Sequence, residues 1–151
     1  INSELSDASF NKYESEIIMF KNLKDFNPNE NKSWKKTLST FLKIKKEAEK
    51  IGAKTAILYF PSRPQVYLER ALGQKLPINF RGKNELDLLE NFSNKNGIIF
   101  INPTKKLTDY VNNLDESFTM EMLPYLEIDG HPSHIGYNLI SDLIISNLKK
   151  N

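Results

Sequence analysis

Near the carboxyl end of this 151-residue chain runs Tyr125-Leu-Glu-Ile-Asp129-Gly-His131-Pro-Ser133-His134-Ile-Gly136-Tyr137, which places an aspartate and a histidine two residues apart. In an extended segment residues two apart point to the same side. Gly130 permits a tight bend between them, so carboxylate and imidazole can meet. A carboxylate on Nδ1–H fixes the tautomer and leaves Nε2 free to take a proton. Pro132 keeps His131 out of helical geometry, and Ser133 is a candidate N-cap for the apolar helix that follows. Together these features favour His131 as a general base oriented by Asp129 over a pair that merely decorates the start of a helix.

Asp129, His131 and His134 also have a spacing that could supply metal ligands. His134 would enter the helix while His131 precedes it, and no fourth ligand stands nearby. Capping or surface exposure is the plainer reading of His134.

Such a pair needs a scaffold. Three short apolar runs, residues 16–20, 55–60 and 97–102, are separated by amphipathic stretches and lack alternation. That pattern predicts an α/β fold with at least three strands of a parallel sheet covered by helices on both faces. A strong helix is expected over 33–51, where Trp34, Leu38, Phe41, Leu42, Ala48 and Ile51 form one apolar stripe and Gly52 ends it. It would be the helix of a right-handed βαβ crossover. A weaker helix is expected over 85–92, another over 104–111, and a last one over 133–148 with Ile135, Leu139, Ile140, Leu143 and Ile144 facing the sheet. Residues 61–84 read as polar and irregular, with one turn of helix near 67–72. Residues 1–15 read as a linker or N-terminal extension before a single domain over 16–151. Ligand sites in open parallel sheets lie at the carboxyl ends of the strands, where the Asp129–His131 loop would converge with them.

Composition bounds the alternatives. Twenty-one Lys and Arg against 19 Asp and Glu give a net charge of only +2, too balanced to imply nucleic acid. The basic residues of 35–54 are interleaved with apolar ones at helical spacing and read as a solvated face. Without cysteine there is no disulfide framework, thiolate metal site or cysteine nucleophile. The compartment stays open on that count, with an exported or periplasmic location favoured. No apolar run reaches membrane-spanning length, and an opening Ile1 suggests a processed or trimmed chain with sequence missing upstream.

The stretch from Asp129 through Gly136 and Tyr137 into LISDLI resembles the closing motif of SGNH/GDSL hydrolases: an Asp, a His usually followed by Pro, a small polar cap and a Gly before the final helix. Upstream, SEIIMFKNLKDF and then WKKTLSTFLKIKKEAEKIGAKTAILYFPSR resemble the middle of that fold. The resemblance implies a three-layer α/β/α, flavodoxin-like domain and a serine ester hydrolase working through Ser-His-Asp without metal or organic cofactor. It makes His131 the base, Asp129 its orienting acid and Asn22 a candidate oxyanion-hole donor. There are departures. Phe20 stands where the family has Gly, and the Asp-to-His spacing is one residue shorter than the commonest form. The family's Gly-Asp-Ser motif does not occur, so the serine is expected on upstream sequence in the missing N-terminal half of the domain, and this piece alone is expected to be inactive. The implied substrate is an ester or an acetylated carbohydrate. Related proteins act on cell-surface polysaccharides, which leaves a polysaccharide O-acetyltransferase as an alternative. A different alternative is a non-catalytic α/β module that binds a carbohydrate or partner through Arg63, Tyr67, Arg70 and Arg81.

Overall fold

The computed structural model describes residues 27–72, 81–115, 117–126 and 129–149. The expected strand at 16–20 and Asn22 lie outside them.

The first described helix, α1 (Lys32–Lys50), begins two residues after the chain turns at Pro28 to Glu30. Asn31 caps it, its Oδ1 accepting from the backbone N–H of Ser33 and Trp34, an arrangement that satisfies two of the orphan donors of a helix start. Its half-buried stripe is Trp34, Leu38, Phe41, Lys45 and Ala48, with Phe41 meeting Phe92 at a ring-centroid distance of 6.5 Å. The expected stripe is corrected at two places. Leu42 is exposed, while Lys45 holds a half-buried place in the row, and Ile51, past the last helical turn, is 82% exposed.

Strand β1 (Ala56–Leu58) pairs in parallel with β2 (Ile99–Ile101), in the register Ala56 to Ile99, Ile57 to Phe100 and Leu58 to Ile101. Both lie inside the expected runs, and further hydrogen bonds from Ile99 N to Thr55 O and from Tyr59 N to Ile101 O carry the pairing one residue beyond β1 at each end. Among the described residues the chain is thus mixed α/β with a two-stranded parallel sheet.

Two helices connect these strands. The stretch expected to be irregular holds a full helix, α2 (Arg63–Leu72). Pro64 resembles a breaker, yet in the first helical turn a proline forfeits no intrahelical hydrogen bond. The next helix, α3 (Arg81–Asn96), extends past the expected 85–92 at both ends. After β2 come α4 (Thr104–Asn112), a single 3-10 turn (Met120–Met122) and α5 (His134–Leu148). The face foreseen for α5 is the covered one: Ile140 is buried, and Ile135, Leu139, Leu143 and Ile144 are half-buried.

The core gathers Val66 and Tyr67 of α2, Leu107 and Val111 of α4, Leu123 and Tyr125 of the loop before α5, and Ile140 of α5. Full burial of such side chains contributes about 1.5–3 kcal/mol each, whereas exposed ion pairs such as Lys50–Glu47 on α1 contribute about 0–1 kcal/mol. Among the described residues, this core includes Leu123 and Tyr125, at the base of the loop that carries Asp129 and His131. No helix of the described residues is long and apolar enough to cross a membrane.

Candidate active site

The loop before α5 is built as a narrow hairpin on a buried base. Tyr125 and Pro132 form an antiparallel bridge. Leu126 N donates to His131 O at 2.8 Å, Gly130 N donates to Leu126 O at 3.3 Å, and Ser133 N donates to Pro124 O at 2.9 Å. Gly130, with φ of +70°, closes the tip, a backbone conformation that a side chain would strain.

Asp129 and His131 meet there through a different geometry from simple alternation. Asp129 Oδ1 accepts from the backbone N–H of His131 at 3.0 Å, the two-residue loop that Asp and Asn side chains favour in turns. Its other oxygen, Oδ2, lies 3.1 Å from His131 Nδ1. One carboxylate thus holds both the main chain and the ring of the same histidine. The backbone hydrogen bond from His131, and then the one from its ring, hold the Asp129 carboxyl below the usual aspartate value. An ionised carboxylate can only accept, so when the His131 ring is neutral its proton belongs on Nδ1 and the lone pair on Nε2. The imidazole is 72% exposed, so its free nitrogen is reachable from outside the chain.

Ser133 caps α5 as expected. Its Oγ accepts from Gly136 N at 3.3 Å and donates to Leu123 O at 2.6 Å. Gly136 has a steric role: a Cβ there would lie 2.1 Å from Pro124 O and 3.2 Å from Pro132 Cβ. Only glycine lets the first turn of α5 press against the base of the hairpin, which explains the Gly in the motif. His134 is the first residue of α5 and is exposed. Among the described residues no three His, Cys, Asp or Glu side chains are grouped to hold a metal ion.

No protein-family model, curated protein or solved structure matches the chain.

The residues that hold the hairpin down come from 59–67, between β1 and the first turns of α2. Tyr67 Oη accepts from Tyr125 N at 3.0 Å, and the two rings meet edge to face at 5.9 Å. Tyr125 Oη donates to Pro61 O at 2.5 Å. Burial, followed by the neighbouring Tyr59, pushes the Tyr125 hydroxyl well above the usual tyrosine value. Gln65 Oε1 accepts from Ser62 N at 2.6 Å, and its amide lies within hydrogen-bond distance of Tyr59 Oη, which fixes the bend between β1 and α2. Arg63 Nη1 donates to Leu126 O at 3.1 Å. Pro61 and Arg63 lie three and five residues past the carboxyl end of β1, so the base of the hairpin, at Tyr125 and Leu126, is tied to the loop that leaves that strand end.

These contacts engage three of the four residues named for a binding face, Arg63, Tyr67 and Arg70, within the fold. Arg63 and Tyr67 are buried. Arg70 donates to the carbonyls of Val111, Leu114 and Asp115 and stacks over Phe118 at 4.8 Å, so its guanidinium is spent inside the fold. The side chain of Arg81 lies outside the described set. A separate cleft of about 280 Å³, lined by Lys45, Glu49, Lys54, Thr55 and Gly97, opens at the amino ends of the strands, far in the topology from His131.

Proposed function

We propose that this chain is the C-terminal part of an SGNH/GDSL-type serine ester hydrolase domain, with His131 as general base and Asp129 as its orienting acid. The observation that carries the reading is the double grip of Asp129 on His131, through the main-chain N–H and Nδ1, at the carboxyl end of a parallel strand pair. That grip leaves Nε2 as the one ring atom able to accept a proton. In the proposed domain the two strands belong to a larger sheet in a three-layer α/β/α arrangement, and upstream sequence supplies the serine. The serine would attack an ester carbonyl, His131 would take its proton and return it to the leaving alcohol, water deprotonated by His131 would then release the acid and restore the serine, and Asp129 would stabilise the imidazolium in both halves. Asn22 and backbone amides would receive the oxyanion. The substrate is an ester or an acetylated carbohydrate, and transfer of the acetyl group to another acceptor would use the same groups.

The test is hydrolysis of a short-chain p-nitrophenyl ester by the full-length gene product, beside its His131→Ala variant and this chain alone. Loss of activity in both comparisons is expected. Full activity in the His131→Ala protein would overturn the assignment.

A further inference from the structure

Arg63 begins α2, five residues past the end of β1, and is only 7% exposed. A guanidinium is costly to remove from water unless its N–H groups find acceptors, and a surface position would have been open to it at a helix start. Its Nη1 instead reaches across 63 residues of sequence to Leu126 O. That carbonyl also receives Gly130 N, and the N–H of the same residue donates to His131 O. Leu126 is therefore the node of the hairpin: its carbonyl faces the tip glycine and the arginine, and its N–H faces the histidine. The residue before it, Tyr125, is pinned from the same strand end through its hydroxyl on Pro61 O.

We infer that Arg63 is a positioning residue for His131. By fixing the Leu126 carbonyl it holds the hairpin in the form that sets the His131 backbone N–H and Nδ1 on the two oxygens of Asp129. Arg63 touches neither the imidazole nor a substrate in this role; it sets which ring nitrogen carries the proton. Its catalytic meaning rests on the proposed function, but the geometry and its test do not.

The experiment is long-range proton–nitrogen correlation spectroscopy of the two histidines in this chain, with His134 as internal reference. Neutral His131 is expected to be mainly the Nδ1–H tautomer, against the usual preference of a free imidazole. In Arg63→Met the ratio of Nδ1–H to Nε2–H at His131 is expected to fall roughly fivefold, the equivalent of one ordinary hydrogen bond, while His134 does not change. Arg63→Lys keeps the charge and the stem and is expected to recover part of the ratio. An unchanged ratio in a folded Arg63→Met chain overturns the inference. If that variant does not fold, Arg63→Lys decides: a lowered ratio supports the inference and a wild-type ratio overturns it. A ratio that responds to Arg63, beside a full-length gene product without esterase activity, leaves the positioning role standing and removes the hydrolase reading. His131-dependent hydrolysis with a ratio indifferent to Arg63 does the reverse.

Discussion

Replacing Gly136 by alanine sets two opposing effects against each other. Inside a helix alanine is favoured over glycine by about 1 kcal/mol, so propensity alone makes Gly136→Ala stabilising. The new methyl would sit 2.1 Å from Pro124 O and 3.1 Å from its carbonyl carbon, and the obstacle is backbone that is itself pinned. Relief requires the first turn of α5 to retreat by about 1 Å, overpacking of a kind that costs about 1–3 kcal/mol. The retreat also stretches Ser133 N to Pro124 O and Ser133 Oγ to Leu123 O, which together contribute about 1–3 kcal/mol. The loss exceeds the propensity gain and leaves the variant destabilised by about 3 kcal/mol. At about 2–4 °C per kcal/mol for a chain of this length, Tm falls by roughly 6–12 °C. Calorimetry or urea unfolding measures it, with Asn138→Ala as the control: an exposed position on the same helix, where alanine is neutral or stabilising. A Gly136→Ala chain as stable as the wild type would refute the close approach and with it the account of the glycine.

Other expected outcomes concern the base of the hairpin and its ionisation. Tyr125→Phe leaves the Pro61 carbonyl without its 2.5 Å donor and is expected to cost about 1–3 kcal/mol in urea unfolding. Because the Tyr125 hydroxyl ionises only above the usual tyrosine range when folded, its contribution to stability is whole below the unfolded value of about 10 and is lost as pH rises beyond it. Unfolding should therefore steepen above pH of about 10 in the wild type and less so in Tyr125→Phe. For Asp129 the shift is downward, so its contribution is present above the unfolded carboxylate value and lost as pH falls through the lower folded one. A carboxyl-carbon titration should place its midpoint below that of a model-peptide aspartate, and His131→Ala should raise it.

The closing motif was the most legible part of the chain because its geometry is local: Asp129, Gly130, Ser133 and Gly136 act on partners within a few residues or on the base of the same hairpin. The runs holding β1 and β2 were visible as short apolar segments; within the strands themselves Ile57 and Ile101 are the buried residues and the others are half-buried or exposed. What the pattern hid was long-range. Arg63, Tyr67 and Arg70 resemble exposed loop residues, because nothing in a one-dimensional sequence distinguishes an arginine that solvates a surface from one that donates to carbonyls 41 to 63 positions away. Pro64 disguised the start of α2, and Leu42 and Ile51 counted toward an apolar stripe that the helix geometry does not give them. A hint was present in Tyr67 and Tyr125: large amphipathic rings beside a motif are candidates for burial with their hydroxyls paired.

The three carbonyls gathered by Arg70 have a consequence for how the fold comes apart. The end of α4 is closed by a side chain from α2, so neither helix can fray at that point without releasing the other. Their amides should exchange with solvent as one cooperative unit, with a shared opening free energy, and the hairpin carrying His131 rests on that unit. The planar fork matters here: Arg70→Lys keeps the charge but offers a point donor to acceptors that are spread apart. The two helices would then open separately, and the floor under the site would loosen before the chain as a whole unfolds.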